Sequence, residues 1–406
     1  MHIKDFRALY ALEQHAKEVA SVPYDTLSRS EAAVIGRRNR LNFLHVTRAE
    51  IDLPELCNPY SEEVYIKAAE NWRFLQQHGI LVREQKPCLY LYEVRKNSHI
   101  CDGVIACVNI NDYRANIIKK HEKTRPEKEQ DRARHISYLH AHTGPVLIMY
   151  RDEAIIDKLI YDTKTQHSLY DLNISDTEKH TIWRIENTQP FLRAFEKISA
   201  CYIADGHHRA VSAVQVANEQ QAKNRGDSIS DECNWFLSAL FPTSQLRILP
   251  YNRAVRDLSG KSIEQFLKAV SAVFSVTAGA QPVPPEKGHI SMYLDQKWYD
   301  ISLLIPMSSS NPADFLDVSV LQTHLLEPIL GITDPQKDIR IQFISGIRGT
   351  EELINRVNSG QARVAFSLFP VSIEQIITIA DAGETMPPKS TWFEPKLMSG
   401  LLIHTF

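Results

Sequence analysis

The chain has 406 residues, with 46 Lys and Arg against 49 Asp and Glu, a formal charge of −3. A domain that neutralises many phosphates of a polyanion is normally clearly basic, so nucleic acid is not expected as the main ligand. The hydrophobic content of 43% supports a large core, and at about 100–200 residues per domain two or three modules are expected.

No run of about 18 apolar residues occurs, and the first residues do not lead into the apolar stretch of a signal peptide. The six cysteines (57, 88, 101, 107, 201, 233) contain no CxxC and read as reduced, mostly buried thiols. A cytoplasmic chain with no membrane partner is the expectation.

In chain order, a Val22-Pro23-Tyr24-Asp25 turn precedes a long polar approach to Ile51-Asp52-Leu53-Pro54. Apolar residues at Val64, Ala68, Trp72 and Leu75 predict a helix over 62–78, ending near Gly79. Segments 88–94 and 100–110 read as a strand hairpin, followed by a charged stretch over 117–142. Further strands are expected at 144–150, 181–185 and 198–204. A helix over 209–221 comes next, then a strand at 246–255. Segments 278–288 and 306–312 read as exposed loops around a hairpin at 289–304. The remainder alternates helix (315–330, 350–358, 372–379) with strand (338–345, 364–370). Interleaved strands and helices predict a mixed α/β (α+β) architecture. The expected divisions are an N-terminal α/β region over 1–115, a catalytic core over 116–245, and a C-terminal α/β domain over 246–406.

Three segments carry chemistry. Asp205-Gly206-His207-His208-Arg209 follows a hydrophobic strand and opens a helix. The unpaired N–H groups of a helix N-terminus favour phosphate or carboxylate. Gly206 permits close backbone approach, and Arg209 offers a fork of donors to an oxyanion. The same residues would also serve as an N-cap with half-buried histidines. No HxxxH or CxxC completes a zinc site, so no metal ligand is assigned.

The second segment runs from Lys119 to Arg132. Pro126 suits the first position of a helix and Arg125 the extended residue before it. This places His121, Glu122, Thr124 and Arg125 in the loop at the helix's positive end. Lys128, Arg132 and His135 then fall on one face. Residues 117–134 hold seven Lys/Arg and four Asp/Glu, a local +3, which suits a polyphosphate or equally a solvated, salt-bridged helix. The third segment, 386–396, sets Lys389, Ser390 and Thr391 between rigid prolines and aromatics. It reads as a strip closing over an anion, or as a segment docked by Trp392 and Phe393. Gly260-Lys261-Ser262 mimics the end of a P-loop, but Val255 stands where the leading glycine belongs. It more plainly starts a helix over 262–274.

Together these segments resemble a large family marked by HExTRxxKExDR, ADGHHR and PPKSTWFxPK, a resemblance that spans nearly the whole chain. The Pro-Tyr-Asp turn, Phe43-Leu44-His45-Val46 and Tyr251-Asn252-Arg253 share it. That family looks like a longer relative of the free L-serine kinases, which have a ParB/sulfiredoxin-like core with a mixed sheet and show His-Glu, DGHHR and Pro-Lys-Thr-Thr in that order. The resemblance implies that Glu122 is the catalytic base for a serine hydroxyl. It assigns substrate and phosphate to Asp205, His207, His208 and Arg209, and serine contacts to Lys389, Ser390 and Thr391. The stretch from Glu122 to Asp205 is much longer than in the short kinases, implying an insertion or a different lid.

The reaction so implied is phosphoryl transfer to free L-serine, giving O-phospho-L-serine. Such a reaction depends mainly on positioning and charge neutralisation. Catalytic Glu122 and Asp205 would be joined by His121, Thr124, Arg125, Lys128, Arg132, Gly206, His208 and Arg209 around the phosphates, with Mg²⁺ accompanying the donor. The absence of a P-loop makes pyrophosphate a sensible donor beside ADP or ATP. Two other readings use the same corner: a ParB-like nucleotide-binding regulator without turnover, and a metal-dependent phosphatase or hydrolase using Asp205, His207 and His208. The sequence leaves open whether Asp25 and Glu31 reach the site.

Overall fold

Runs of Val, Ile, Leu and Tyr that are apolar on both faces form the central strands of a nine-stranded mixed sheet. This sheet appears in the computed structural model, which describes residues 1–223 and 231–406. Its order is Ile118–Lys119, Cys201–Asp205, Val146–Tyr150, Trp235–Pro242, His99–Asn109, Leu89–Lys96, Glu178–Ile185 and Tyr170–Ser175, with Ile3–Lys4 also pairing with His99–Asn109. Cys201–Asp205 runs parallel to Ile118–Lys119 and antiparallel to Val146–Tyr150. The expected hairpin of 88–110 is present as Leu89–Lys96 and His99–Asn109, turning through Asn97 at φ +53°. Leu91, Val104, Ile148, Ile203, Phe195, Phe236 and Leu240 are buried in its core.

The chain divides into two compact units. The first comprises Met1–Lys120, Thr124–Leu246 and Pro395–Phe406, and the second His121–Lys123 and Arg247–Glu394. The boundary expected after residue 115 falls inside the first unit. Strand His99–Asn109 pairs with Trp235–Pro242 over six residue pairs, so one sheet runs through both expected modules. A small second sheet draws the chain end into the same unit, where Leu402–Thr405 pairs with Leu9–Ala11 and Ala141–His142.

The second unit is built on a seven-stranded antiparallel sheet. Its order is Phe274–Ala278, Lys297–Leu303, Ile290–Leu294, Val364–Leu368, Arg247–Val255 and Ile341–Ser345, and Thr391–Glu394 pairs with the first half of Arg247–Val255. The Gly-Lys-Ser segment starts a helix as expected: Ser262 caps Ile263–Ser271 in a capping box with Gln265. The single helix expected over 315–330 is instead a short helix, Asp317–Leu321, continued by a wide turn, Gln322–Leu326. Pro328 has no N–H and its ring crowds the carbonyl four residues back, so the bonding slips and the Glu327 amide donates to the Gln322 carbonyl at 3.0 Å.

Both units are mixed α/β. Among the described residues no helix is long and apolar enough to cross a membrane. All six cysteines are free, and all but Cys57 are buried.

Candidate functional site

The corner after Cys201–Asp205 lies in the first unit and turns through Gly206 at φ +94°. A Cβ there would sit 3.2 Å from Arg209 Nε and 3.4 Å from the Val146 Cα, so the backbone needs glycine both for its conformation and for its packing. The helix His207–Lys223 begins immediately, and its first bond runs from the Ala210 amide to the Gly206 carbonyl at 3.0 Å. His207 is buried. His208 is half-buried, and its Nε2 accepts a hydrogen bond from the Arg125 amide at 3.1 Å. An Nε2 that accepts leaves the ring proton on Nδ1. Burial, aided by Arg125 and Lys128, holds His208 below the ordinary histidine range, consistent with a neutral ring.

Asp205 is gripped from far along the sequence: Lys396 Nζ donates to its Oδ2 at 2.8 Å. Burial opposes ionisation of Asp205, but Lys396 and Arg209 outweigh it and hold the carboxyl well below its usual range. Lys396 ends the 386–396 segment, and no local sequence signal marks its contact with Asp205. Any cation at Asp205, a metal or a substrate ammonium alike, would share the carboxylate with this ammonium, which is bound at Oδ2.

The helix Pro126–Leu139 begins at Pro126 as expected, with Arg125 extended at φ −104°, ψ 127°. Ser212 Oγ on the corner helix donates to the Glu129 carbonyl at 2.8 Å, tying the two helices together. The basic face predicted for this helix is only partly a solvent face. Arg125 is exposed, and Lys128 donates to Tyr60 Oη at 2.6 Å. Arg132, by contrast, is nearly enclosed: it pairs with Asp131 at 2.8 Å and lies 4.2 Å from the Tyr24 ring. His135 is buried and donates through Nε2 to the Val46 carbonyl at 3.0 Å. The pattern of i, i+4, i+7 recognised one face but could not tell that its second half packs inward. Thr124 is half-buried just before the helix.

The remaining expected site residues belong to the second unit. His121 is buried, with its ring 6.1 Å from Phe393. Glu122 forms a parallel bridge with Met386, whose amide donates to the His121 carbonyl at 2.8 Å. Within this unit the His-Glu pair therefore lies beside the start of the late strip. Lys389 is exposed, has φ +56°, and holds its Nζ 5.2 Å from the Tyr251 ring. Ser390 differs from expectation: its hydroxyl donates to the Pro387 carbonyl at 2.6 Å and is largely buried, so it closes the turn rather than offering a proton to an anion. Thr391 opens the strand Thr391–Glu394 opposite Pro250.

Under this turn lies Arg253, buried and donating to the carbonyls of Tyr251 at 2.8 Å and Lys389 at 3.0 Å. Its guanidinium lies 4.4 Å from the Phe343 ring. Burial pulls its pKa down to about 9. An arginine begins above 12, and carbonyl dipoles surround this one, so it is a cation at neutral pH. Tyr251-Asn252-Arg253 is thus the support of the Lys389 turn.

The profile of a family described as "Protein of unknown function (DUF1015)" matches residues 3–319, which include both the HExTR segment and the corner. The chain belongs to the DUF1015 family. The match ends before the 386–396 strip of this DUF1015 chain. No curated protein matches it. Among solved structures it is similar to SbnI with a C-terminal truncation from Staphylococcus aureus, at 13% identity and a TM-score of 0.39, over 74% of this chain and 87% of that one. It is also similar to a mutant free serine kinase in complex with AMP, at 10% identity and a TM-score of 0.37, over 74% of this chain and 90% of that one. A conserved hypothetical protein from Pyrococcus furiosus is similar at 12% identity and a TM-score of 0.35, over 75% and 96% of the two chains.

Proposed function

We propose that this DUF1015 protein is a small-molecule kinase that transfers a phosphoryl group to the hydroxyl of free L-serine, with pyrophosphate, ADP or ATP as donor. The observation that carries this reading is the corner itself. A carboxylate kept ionised by Lys396 stands directly before a helix N-terminus, with a neutral His208, the exposed Arg125 and the half-buried Lys128 on the same unit. Such a corner offers an anion to the ammonium of an amino acid, and N–H groups and cations to phosphate oxygens. Phosphoryl transfer asks little more of a protein than this positioning and neutralisation.

Asp205 is assigned to the serine ammonium and His207, His208 and Arg209 to the corner's grip on substrate and donor. Glu122 is assigned, from the sequence resemblance, to accept the hydroxyl proton. Lys389 and Thr391 are assigned to the substrate side. Mg²⁺ would travel with the donor, bound mostly by phosphate oxygens and water as is usual for that ion.

The test is phosphoserine formation from L-serine with pyrophosphate, ADP and ATP in separate reactions, read by phosphorus NMR. One donor is expected to give turnover, and Glu122→Gln to lower it by about 10²–10⁴-fold, the usual worth of a general base. Absence of phosphoserine with all three donors overturns the reading. Full turnover in Glu122→Gln removes only the assignment of the base.

A further inference from the structure

The Arg209 guanidinium reaches away from the surface of the corner. Its Nη1 donates to the Pro145 carbonyl, and its Nε is buried with no hydrogen-bond partner. A buried donor left unpaired is costly, and in a native structure it calls for a partner. Beside it is a small cavity of about 30 Å³ within the first unit, lined among others by Tyr24, Arg132, Gly144, Arg209 and Ser399. This is room for about two water molecules, enough for the two oxygens of a carboxylate group.

The lining sets two arginines, one of them paired with Asp131, among hydroxyls and the apolar Ile136, Val146, Phe236 and Leu237. Arg132 and Arg209 both act on the Tyr24 hydroxyl, although burial and Asp25 prevail and push it up to about 12, so it remains a donor. The Tyr24 segment is held in place by Arg48, whose Nη1 donates to the Tyr24 carbonyl at 2.7 Å and the Leu27 carbonyl at 2.8 Å. Gly144 completes the cavity. A Cβ on it would lie 3.5 Å from Arg209 Nη1 and 3.5 Å from Ser399 Oγ, in ordinary contact with both. The missing side chain thus leaves a cradle between an arginine and a hydroxyl, where a ligand atom can touch both.

We infer that this cavity is a carboxylate-binding subsite, formed by Arg132, Arg209, Tyr24 and Ser399 around Gly144, and that it seats the carboxylate of the amino-acid acceptor. The second half of that statement rests on the kinase reading; the first does not. Two arginines supply charge-assisted donors, the hydroxyls of Tyr24 and Ser399 supply neutral ones, and the bare Gly144 supplies the space. With the carboxylate seated behind Arg209 and the ammonium at Asp205, an amino acid would be held by both backbone charges and present its side-chain hydroxyl outward.

The experiment compares the full chain with Gly144→Ala, whose methyl group fills the cradle at contact distances the backbone tolerates. Melting temperature is followed in acetate against chloride at equal ionic strength, and binding of L-serine and L-serinamide is measured by calorimetry. Acetate is expected to raise the melting temperature of the native chain and leave Gly144→Ala unmoved. L-serine is expected to bind at least tenfold more tightly than L-serinamide, and this preference should vanish in Gly144→Ala. Tyr24→Phe should weaken L-serine severalfold without altering the melting temperature in chloride. If acetate shifts both proteins alike, the subsite is overturned, whatever the enzyme turns over. If acetate discriminates between them but L-serine does not bind, the subsite stands and the serine acceptor falls.

Discussion

Lys396 Nζ lies 2.8 Å from Asp205 Oδ2 although 191 residues separate them. The pair joins the late Pro395–Phe406 segment to the corner inside one unit. Both side chains are partly exposed, at 20% and 28%, so the pair is worth less than a fully buried one, for which removing one partner costs about 3–5 kcal/mol. Lys396→Met is expected to destabilise the first unit by about 1–3 kcal/mol near neutral pH, measured by urea denaturation. Asp205 has its carboxyl depressed in the folded state. Its contribution is therefore present above the ordinary carboxylate pKa and is lost as pH falls through the folded value. An effect of Lys396→Met that is unchanged at pH 2 would show that lost packing, not charge, is responsible.

Gly206→Ala tests the corner's backbone. At φ +94° an L side chain is strained, and the new methyl group would crowd Arg209 Nε at 3.2 Å. A loss of about 1–3 kcal/mol is expected, with a larger fractional loss in phosphoserine formation because Arg209 must move. A variant with native stability and native turnover would mean that the turn relaxes freely.

His135 should make the protein acid-sensitive. Burial, with Arg132 adding to it, pulls this histidine down to about 4 from an ordinary 6.5. Between those values the unfolded chain binds a proton that the folded chain refuses, so stability rises with pH across that window and falls as acid is added. The full window corresponds to at most about 3 kcal/mol from this residue. His142 and His404 are buried and depressed in the same direction and will steepen the same slope. His135→Gln should flatten the dependence between pH 6.5 and pH 4 in denaturant titrations; an unaltered slope would assign the sensitivity to the other two.

Arg253→Met separates stability from positioning. The guanidinium's hydrogen bonds to Tyr251 and Lys389 are lost, but so is the cost of burying a cation that pairs with no carboxylate among the described residues. The two effects oppose one another, and the net change is expected within about 1 kcal/mol. The Lys389 and Ser390 amides of the 387–390 turn, deprived of its support, should exchange at least tenfold faster. A loss above about 3 kcal/mol would mark Arg253 as a net stabiliser of the fold.

The segments legible in the sequence were those in which local chemistry and burial agree. Pro126 at the first position of its helix, the spacing of Val64, Ala68, Trp72 and Leu75, and the break at Gly206 each specify a local conformation that the folded chain keeps. Apolar spacing over 315–330 predicts a single helix because periodicity does not register the missing N–H of Pro328. Ser390 looked like an anion contact because a hydroxyl's donor direction depends on the turn around it, and here that turn faces Pro387.

From sequence alone came the mixed α/β class and the strand-to-helix corner. These follow from periodicity, turn residues and charge, which act over a few positions. Tertiary structure alone decided that Arg132 faces inward to Asp131 and Tyr24, that Lys396 holds Asp205, and that Gly144 leaves space beside Arg209. Those are matters of which distant side chains meet in a low-dielectric interior, where an unpaired charge is costly, and no short-range pattern encodes them.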